Sequence, residues 1–216
     1  MHKSSLLAIL LIMLIATALF TAVAFADTTV GVKKGDWIEY QVATTGSPPE
    51  DHNITWARMD VTGVQGDAIS LNVQTRFRNG TLLLENITLN LATGVLGDDF
   101  FIPANLSPGD KFYDIYQGNI NITSVGQLAA GGAQRTVVSG ATNQTTYYWD
   151  RQTGILVAAT SNEPEYTMST KTSGTNIWEP QILGLDLTVF YALIIAIVIV
   201  VVAIVAILVW RRKMYS

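Results

Sequence analysis

Between Ile69 and Phe77 the chain alternates apolar and polar positions, with Thr75 the one polar residue at an apolar position. Ile69, Leu71, Val73, Thr75 and Phe77 fall on one face, and Ser70, Asn72, Gln74 and Arg76 on the other. A period of two is that of a pleated strand with one dry side. The same pattern returns in Glu85–Leu91, with Ile87, Leu89 and Leu91 inward, and in Asn119–Thr123, with Ile120 and Ile122 inward. Turn chemistry falls between the runs: Gly63–Asp67, the Asn79-Gly80 pair, and Ala129–Gln134 with its Gly-Gly. A longer connection marked by Pro and Gly spans Leu96–Phe112. The pattern predicts strands near 36–43, 54–63, 67–78, 81–92, 111–117, 119–127, 134–140, 143–150, 154–162 and 165–172. No helical stripe appears among them. Sequential hairpins imply an all-β domain: an antiparallel meander forming a curved sheet, half-barrel or barrel, with a β-sandwich as the alternative.

The stretch 147–160, YYWDRQTGILVAAT, predicts one of these hairpins. Asp150 is suited to accept hydrogen bonds from the turn backbone, and Gly154 to supply a residue with positive φ. Arg151 and Gln152 are then exposed at the tip, where replacing Arg151 is expected to change almost nothing. The Trp-Asp pair has no repeat of about 40 residues behind it, so it is not a propeller signature.

The two ends break the pattern. Residues 1–26 combine Lys3, a long apolar run and Ala24-Phe25-Ala26, which predicts a secretory signal peptide cleaved before Asp27, with an uncleaved signal anchor as the alternative. Residues 187–210 contain no charge and would span about 36 Å as a helix, enough for a hydrocarbon core of about 30 Å. Arg211, Arg212 and Lys213 follow, and Tyr191 and Trp210 suit the two interfaces. The predicted order is signal peptide 1–26, extracellular β domain 27–173, juxtamembrane tether 174–186, transmembrane helix 187–210 and cytoplasmic tail 211–216. The expected location is the cell membrane, single-pass, with most of the chain outside and the C-terminus in the cytoplasm.

These end segments account for a composition of 49% hydrophobic and only 14% charged residues. The remainder, 27–186, carries a net charge of about −8, which disfavours nucleic acid and anionic lipid headgroups as partners. There is no cysteine, so disulfides, thiol catalysis and Cys-ligated metals are excluded. Six Asn-X-Ser/Thr sequons, at Asn53, Asn79, Asn86, Asn105, Asn121 and Asn143, are candidate N-glycosylation sites. Asn86 and Asn121 fall on the polar faces of their strands.

Candidate chemistry is sparse. His2 belongs to the signal peptide, and His52 lies in a polar loop as a solvated residue. Asp98, Asp99, Asp110 and Asp114 are the one acidic concentration. Their spacing matches no defined Ca²⁺ loop, and they are expected to be solvated turn residues. No serine elbow or phosphate-cradling glycine loop is present. Catalytic residues, cofactors and metals are therefore expected to be none, and the chain is not expected to be an enzyme. Aromatics are numerous, and Trp37, Tyr40, Trp56, Phe77 and Tyr148 are the candidates for lining an apolar pocket inside a curved sheet. Core packing is the other role open to them.

VKKGDWIEYQV and YYWDRQTGILVAAT together resemble uncharacterised archaeal cell-surface proteins with a signal peptide, a β-rich outer domain and one C-terminal membrane helix. The second stretch also resembles strand pairs of the LolA/LppX-like half-barrel carriers, in which a curved antiparallel sheet wraps a hydrophobic cavity. The expected function is a membrane-anchored, N-glycosylated, non-catalytic binding or structural module of the envelope, with an envelope protein, glycan or lipid as partner. One alternative is a carrier or chaperone for a lipid or lipid-linked group. The other is an accessory subunit of a membrane complex.

Overall fold

The computed structural model describes residues 28–214. The expected signal peptide and the last two residues of the expected tail lie outside that range. Ten strands form one antiparallel sheet: β1 (Trp37–Gly46), β2 (Ile54–Gln65), β3 (Ala68–Phe77), β4 (Leu82–Asn90), β5 (Lys111–Asp114), β6 (Gly118–Ala130), β7 (Ala133–Ala141), β8 (Thr145–Asp150), β9 (Leu156–Asn162) and β10 (Tyr166–Thr175). The alternation predicts all ten, and β5 stops three residues short of its expected end because Asp114 opens a turn by accepting from the Tyr116 and Gln117 amides at 2.8 and 2.7 Å.

The spatial order is β4-β3-β2-β1-β10-β9-β8-β7-β6-β5. Every sequential pair is hydrogen-bonded except β4 and β5, and the first and last strands close onto each other from Ile38↔Thr175 to Gly46↔Tyr166. The meander is thus an open sheet, neither a closed barrel nor the two facing sheets of a sandwich. It is curved. The Tyr40 hydroxyl on β1 donates to the Leu156 carbonyl on β9 at 3.1 Å, and Gly131, after β6, touches the β10 residue Thr175.

The missing β4–β5 pairing is where the long connection 91–110 enters the concave side. Leu96, Phe101, Ile102 and Ala104 are buried there. The backbone of this segment is stitched to the sheet: Ile102 N–H donates to Gly154 O, Leu156 N–H to Phe100 O, and Asn105 N–H to Arg151 O, at 2.9, 2.9 and 2.6 Å. Trp149 is the centre of the core. It stacks on Tyr147 at 5.0 Å, meets Phe112 edge-on at 5.4 Å and donates its indole N–H to Asp99 O at 2.6 Å. Burying an indole removes roughly 200 Å² from water, on the order of 5 kcal/mol of transfer free energy.

Antiparallel alternation sorts the turns to two ends. The β2–β3, β6–β7 and β8–β9 turns lie at the end where β1 begins and β10 finishes. The β1–β2, β3–β4, β7–β8 and β9–β10 turns lie at the other. After β10 the sequence predicts a plain tether, and the structure differs. Gln181–Ile182 (β11) and Leu185–Asp186 (β12) form a small hairpin locked to the β6–β7 turn. Gln181 N–H donates to Gly132 O, and Gln134 N–H to Gln181 Oε1, both at 2.9 Å. The two-residue strands are too short to leave a period in the sequence.

From this hairpin rises α1, a helix of 28 residues, Leu187–Met214. Its described side chains are apolar all round and nearly all exposed, with Ile199 at 63% and Val202 at 62%. Among the described residues, no helix is long and apolar enough to cross a membrane. Side chains of α1 are described without interruption only over 187–202, about 24 Å of helix.

Candidate functional site

The end of the sheet beneath α1 concentrates the polar chemistry. Asp150, 1% exposed, ends β8 and accepts from the Thr153 amide and hydroxyl at 2.9 and 2.7 Å, as the turn reading expects. It also pairs with Arg135 Nε on β7 at 2.8 Å, a buried ion pair with no sequence signature because its partners are 15 residues apart. The Arg135 guanidinium then lies over the Trp178 ring, 5.2 Å from its centroid, and donates to Gln152 Oε1 at 3.2 Å. Asn176 clamps the opposite wall, accepting from Trp37 N–H at 2.8 Å and donating to Gly35 O at 2.9 Å.

These groups enclose a cleft of about 700 Å³ walled by residues 30–36, 135, 152–153, 176–179, 181 and 186. Lys33 and Lys34 stand exposed on its rim, without an ion pair among the described residues. Asp36 is buried, and its carboxylate accepts the Lys33 amide at 2.9 Å. Trp178 is 3% exposed, and its indole N–H has no acceptor. No motif marks this cleft, since its walls come from segments far apart in the chain. A second hollow of about 570 Å³ flanks the β6–β7 turn.

The acidic concentration divides. Asp98 and Asp110 are exposed, as expected of turn residues, but Asp99 and Asp114 are buried at 0% and 3%. The cause is the connection 91–110, which folds inward and carries Asp99 with it in a left-handed conformation (φ 60°). Neither Asp99 carboxyl oxygen has a hydrogen-bond partner. Burial first, then the neighbouring Asp114, push its carboxyl up to about 7, with the nearby Tyr147 hydroxyl acting in the opposite sense. Among the described residues, no group of three or more His, Asp or Glu is arranged to hold a metal ion.

His52 lies exposed in the β1–β2 connection, as expected, and it also has a partner. Its Nδ1 meets the Tyr166 hydroxyl across the β1–β2 and β9–β10 turns, and the two rings pack edge to face at 5.8 Å. Arg151 is exposed, but it donates to Leu106 O at 3.2 Å and Ser107 Oγ at 3.0 Å, so it ties the turn to the inserted connection.

The five candidate pocket residues do not come together. Tyr40 faces the interior and packs on Phe100, with ring centroids 5.0 Å apart. Trp37 and Trp56 occupy the outer face, where Arg58 and Arg76 cover their rings at 4.3 and 5.2 Å. Tyr148 is exposed on the outside, and Phe77 is half-buried at the end of β3. The interior aromatics pack against one another and the connection. Of the sequon asparagines, Asn79, Asn86, Asn105, Asn121 and Asn143 are exposed, and Asn53 is half-buried.

No family model matches this chain, and no curated protein matches it. Among solved structures, the siderocalin Ex-FABP, which functions through dual ligand specificities, is similar over 65% of this chain and 72% of its own, at 11% identity and a TM-score of 0.25. A likeness at that level decides neither a fold nor a ligand.

Proposed function

We propose that this chain is a single-pass membrane protein whose β domain stands on the outer surface of the cell as a non-catalytic binding or structural module. The observation that carries this reading is α1. A helix that is apolar on every side belongs inside a core or a bilayer. The sheet fills its own core with the connection 91–110, so lipid is the remaining partner for a surface of this kind. Over 187–210 the sequence is uncharged for long enough to cross, with Arg211, Arg212 and Lys213 fixing the cytoplasmic side.

Three of the six sequons fit the same orientation, whereas Asn86 and Asn121 lie along strands and Asn105 sits at the α1 end beside the β8–β9 turn. Asn53, Asn79 and Asn143 lie at the end of the sheet opposite α1, where glycans would point away from the bilayer. That end, with Tyr116 at 89% exposure in the β5–β6 turn, is the surface offered to an envelope protein or glycan. A carrier role would require the segment 91–110 to leave the concave face. The test is alkaline carbonate extraction of the full chain beside a version ending at Asp186. The full chain stays in the membrane pellet and the shortened one enters the medium. Release of the full chain by carbonate overturns the reading.

A further inference from the structure

We propose that the free edge of β4 pairs with the β4 edge of a second copy of this chain anchored in a facing membrane, so that the domain joins two surfaces; the proposal rests on the membrane reading above. β4 ends the sheet on one side. Asn90 shows which of its backbone groups point outward. Its N–H donates to Val95 O at 2.8 Å and its carbonyl accepts from Val95 N–H at 3.1 Å, on the side away from β3. Backbone direction repeats every second residue, so Leu82, Leu84, Asn86 and Thr88 turn their N–H and C=O groups the same way. Those groups have no partner among the described residues. A row of this kind is a template for another extended strand. β4 pairs with β3 over nine successive residues without a bulge, and it holds neither Lys nor Pro, two common guards of an edge. It opens on Leu82, Leu83 and Leu84, exposed at 49%, 41% and 63%. The opposite edge is guarded: β5 is four residues long and opens on Lys111.

The edge fits itself. A two-fold axis makes one edge complementary to an identical one only when the strands run antiparallel. Glu85, the one charge in β4, selects the register. It aligns with buried Val73 and so faces the concave side. An axis at Glu85 would set two carboxylates side by side, and an axis at Leu84 would set Glu85 against Leu83. An axis at Leu83 brings Leu83 to Leu83 and Leu82 to Leu84, with Glu85 opposite Thr81. Antiparallel pairing also reverses the strand. β4 runs from the β3–β4 turn, at the end opposite α1, towards the base of the sheet. Two paired copies therefore overlap only at their far tips and send their α1 helices in opposite directions. That arrangement suits facing membranes and not neighbours in one bilayer. The Asn86 side chain stands off the outer face, so a glycan there leaves the plane of the edge bonds open. A contact of about five residues is smaller than the roughly 1,600 Å² of a standard interface, so many copies acting together hold the two surfaces.

The test reconstitutes the full chain, made without glycans, in two vesicle populations carrying different dyes, with a short tag on the chains of one population. The expected result is two-colour clusters when both populations carry the chain, and none when one is bare. Leu83→Lys opposes two ammonium groups at the axis and is expected to lower clustering roughly tenfold or more. Leu83 is exposed, so an unchanged unfolding temperature of this variant separates lost contact from lost fold. The chain has no cysteine, so Leu83→Cys reports the register. Opposed residues of a non-hydrogen-bonded antiparallel pair stand about 4.5 Å apart at Cα, within reach of a disulfide. Mild oxidation is expected to link tagged to untagged chains through position 83, and not through Glu85→Cys. Absence of clusters, clusters with bare vesicles, full clustering by Leu83→Lys, disulfides formed only within one population, or stronger linkage at position 85 each overturn the proposal. Flotation of the same vesicles after a carbonate wash separates the two readings. A chain that floats with vesicles it does not cluster defeats the edge contact alone, whereas a chain washed off defeats the membrane anchor.

Discussion

Asp99 is held in the interior with both carboxyl oxygens unpartnered, beside Asp114 and Tyr147. Its carboxyl titrates at about 7 in the folded chain, against about 3.9 when unfolded. The native state therefore keeps a proton that the unfolded state releases between about pH 4 and pH 7. For this group, stability falls as pH rises through that window and is level on either side, with a ceiling of about 4 kcal/mol at one pKa unit per 1.4 kcal/mol. Asp99→Asn removes the ionisation, and Asn tolerates the positive φ. The difference in unfolding free energy between variant and wild type is expected to grow in the variant's favour from pH 4.5 to pH 8 in urea titrations. A difference independent of pH would show that the carboxyl does not titrate there. Gly154 is a residue with two constraints at once, φ 73° and a Cβ that would stand 2.0 Å from Ile102 O. Gly154→Ala should cost well over the roughly 1 kcal/mol of a positive-φ glycine alone, because the stitched backbone of the connection must move. Arg151→Ala, silent on the sequence reading, should instead speed amide hydrogen exchange over 105–110 while lowering global stability by only about 1 kcal/mol.

At the scale of elements, the strands were legible because one face of each is dry, and a dry face writes itself as alternation. Ile69, Leu71 and Val73 are buried as their positions predict, and so are Leu89, Ile120 and Ile122. The connection 91–110 was not legible. It buries Leu96, Phe101 and Ile102 without any period, since an irregular segment meets the core wherever its backbone bends. Its contacts are long-range: Asp99 answers Trp149 across 50 residues and Ile102 answers Gly154. That is why buried aspartates read as loop residues and why most of the pocket candidates turned out to lie away from the interior. Trp37 and Trp56 are aromatic for a different purpose, as plates under Arg58 and Arg76 on the outer face. If the connection is a core element, Phe101→Ala should cost about 3–5 kcal/mol, as for a buried aromatic, and not the near zero of a loop position. Thermal unfolding of the two proteins in one detergent measures it. A shift of less than a few degrees would mean the segment is only laid against the sheet.

At the scale of the whole molecule, the docked hairpin changes what the proposed anchor would do. A free tether of a dozen residues would let the domain tumble above the bilayer, and either end of the sheet could touch it. With Trp178 buried against Gly131 and Gln181 bonded to Gly132 and Gln134, the base of the sheet and the start of α1 move together. With α1 in a bilayer, as proposed, strands of about ten residues at roughly 3.3 Å each would hold the far turns some tens of Å from the headgroups. The absence of cysteine makes this measurable, because one introduced thiol is the only one in the chain. Glu179 and Asn143 are both exposed, at the near and far ends, and suit the single variants Glu179→Cys and Asn143→Cys. With a fluorophore on each, and nitroxide-labelled headgroups in reconstituted vesicles, the label at position 179 is expected to be quenched strongly and the label at position 143 hardly at all. Replacing residues 180–186 by a Gly/Ser linker should bring the two signals together, since only the hairpin holds the base down. Equal quenching before that replacement would mean that the domain lies along the membrane or swings freely, and the far turns would lose their standing as the surface presented to partners.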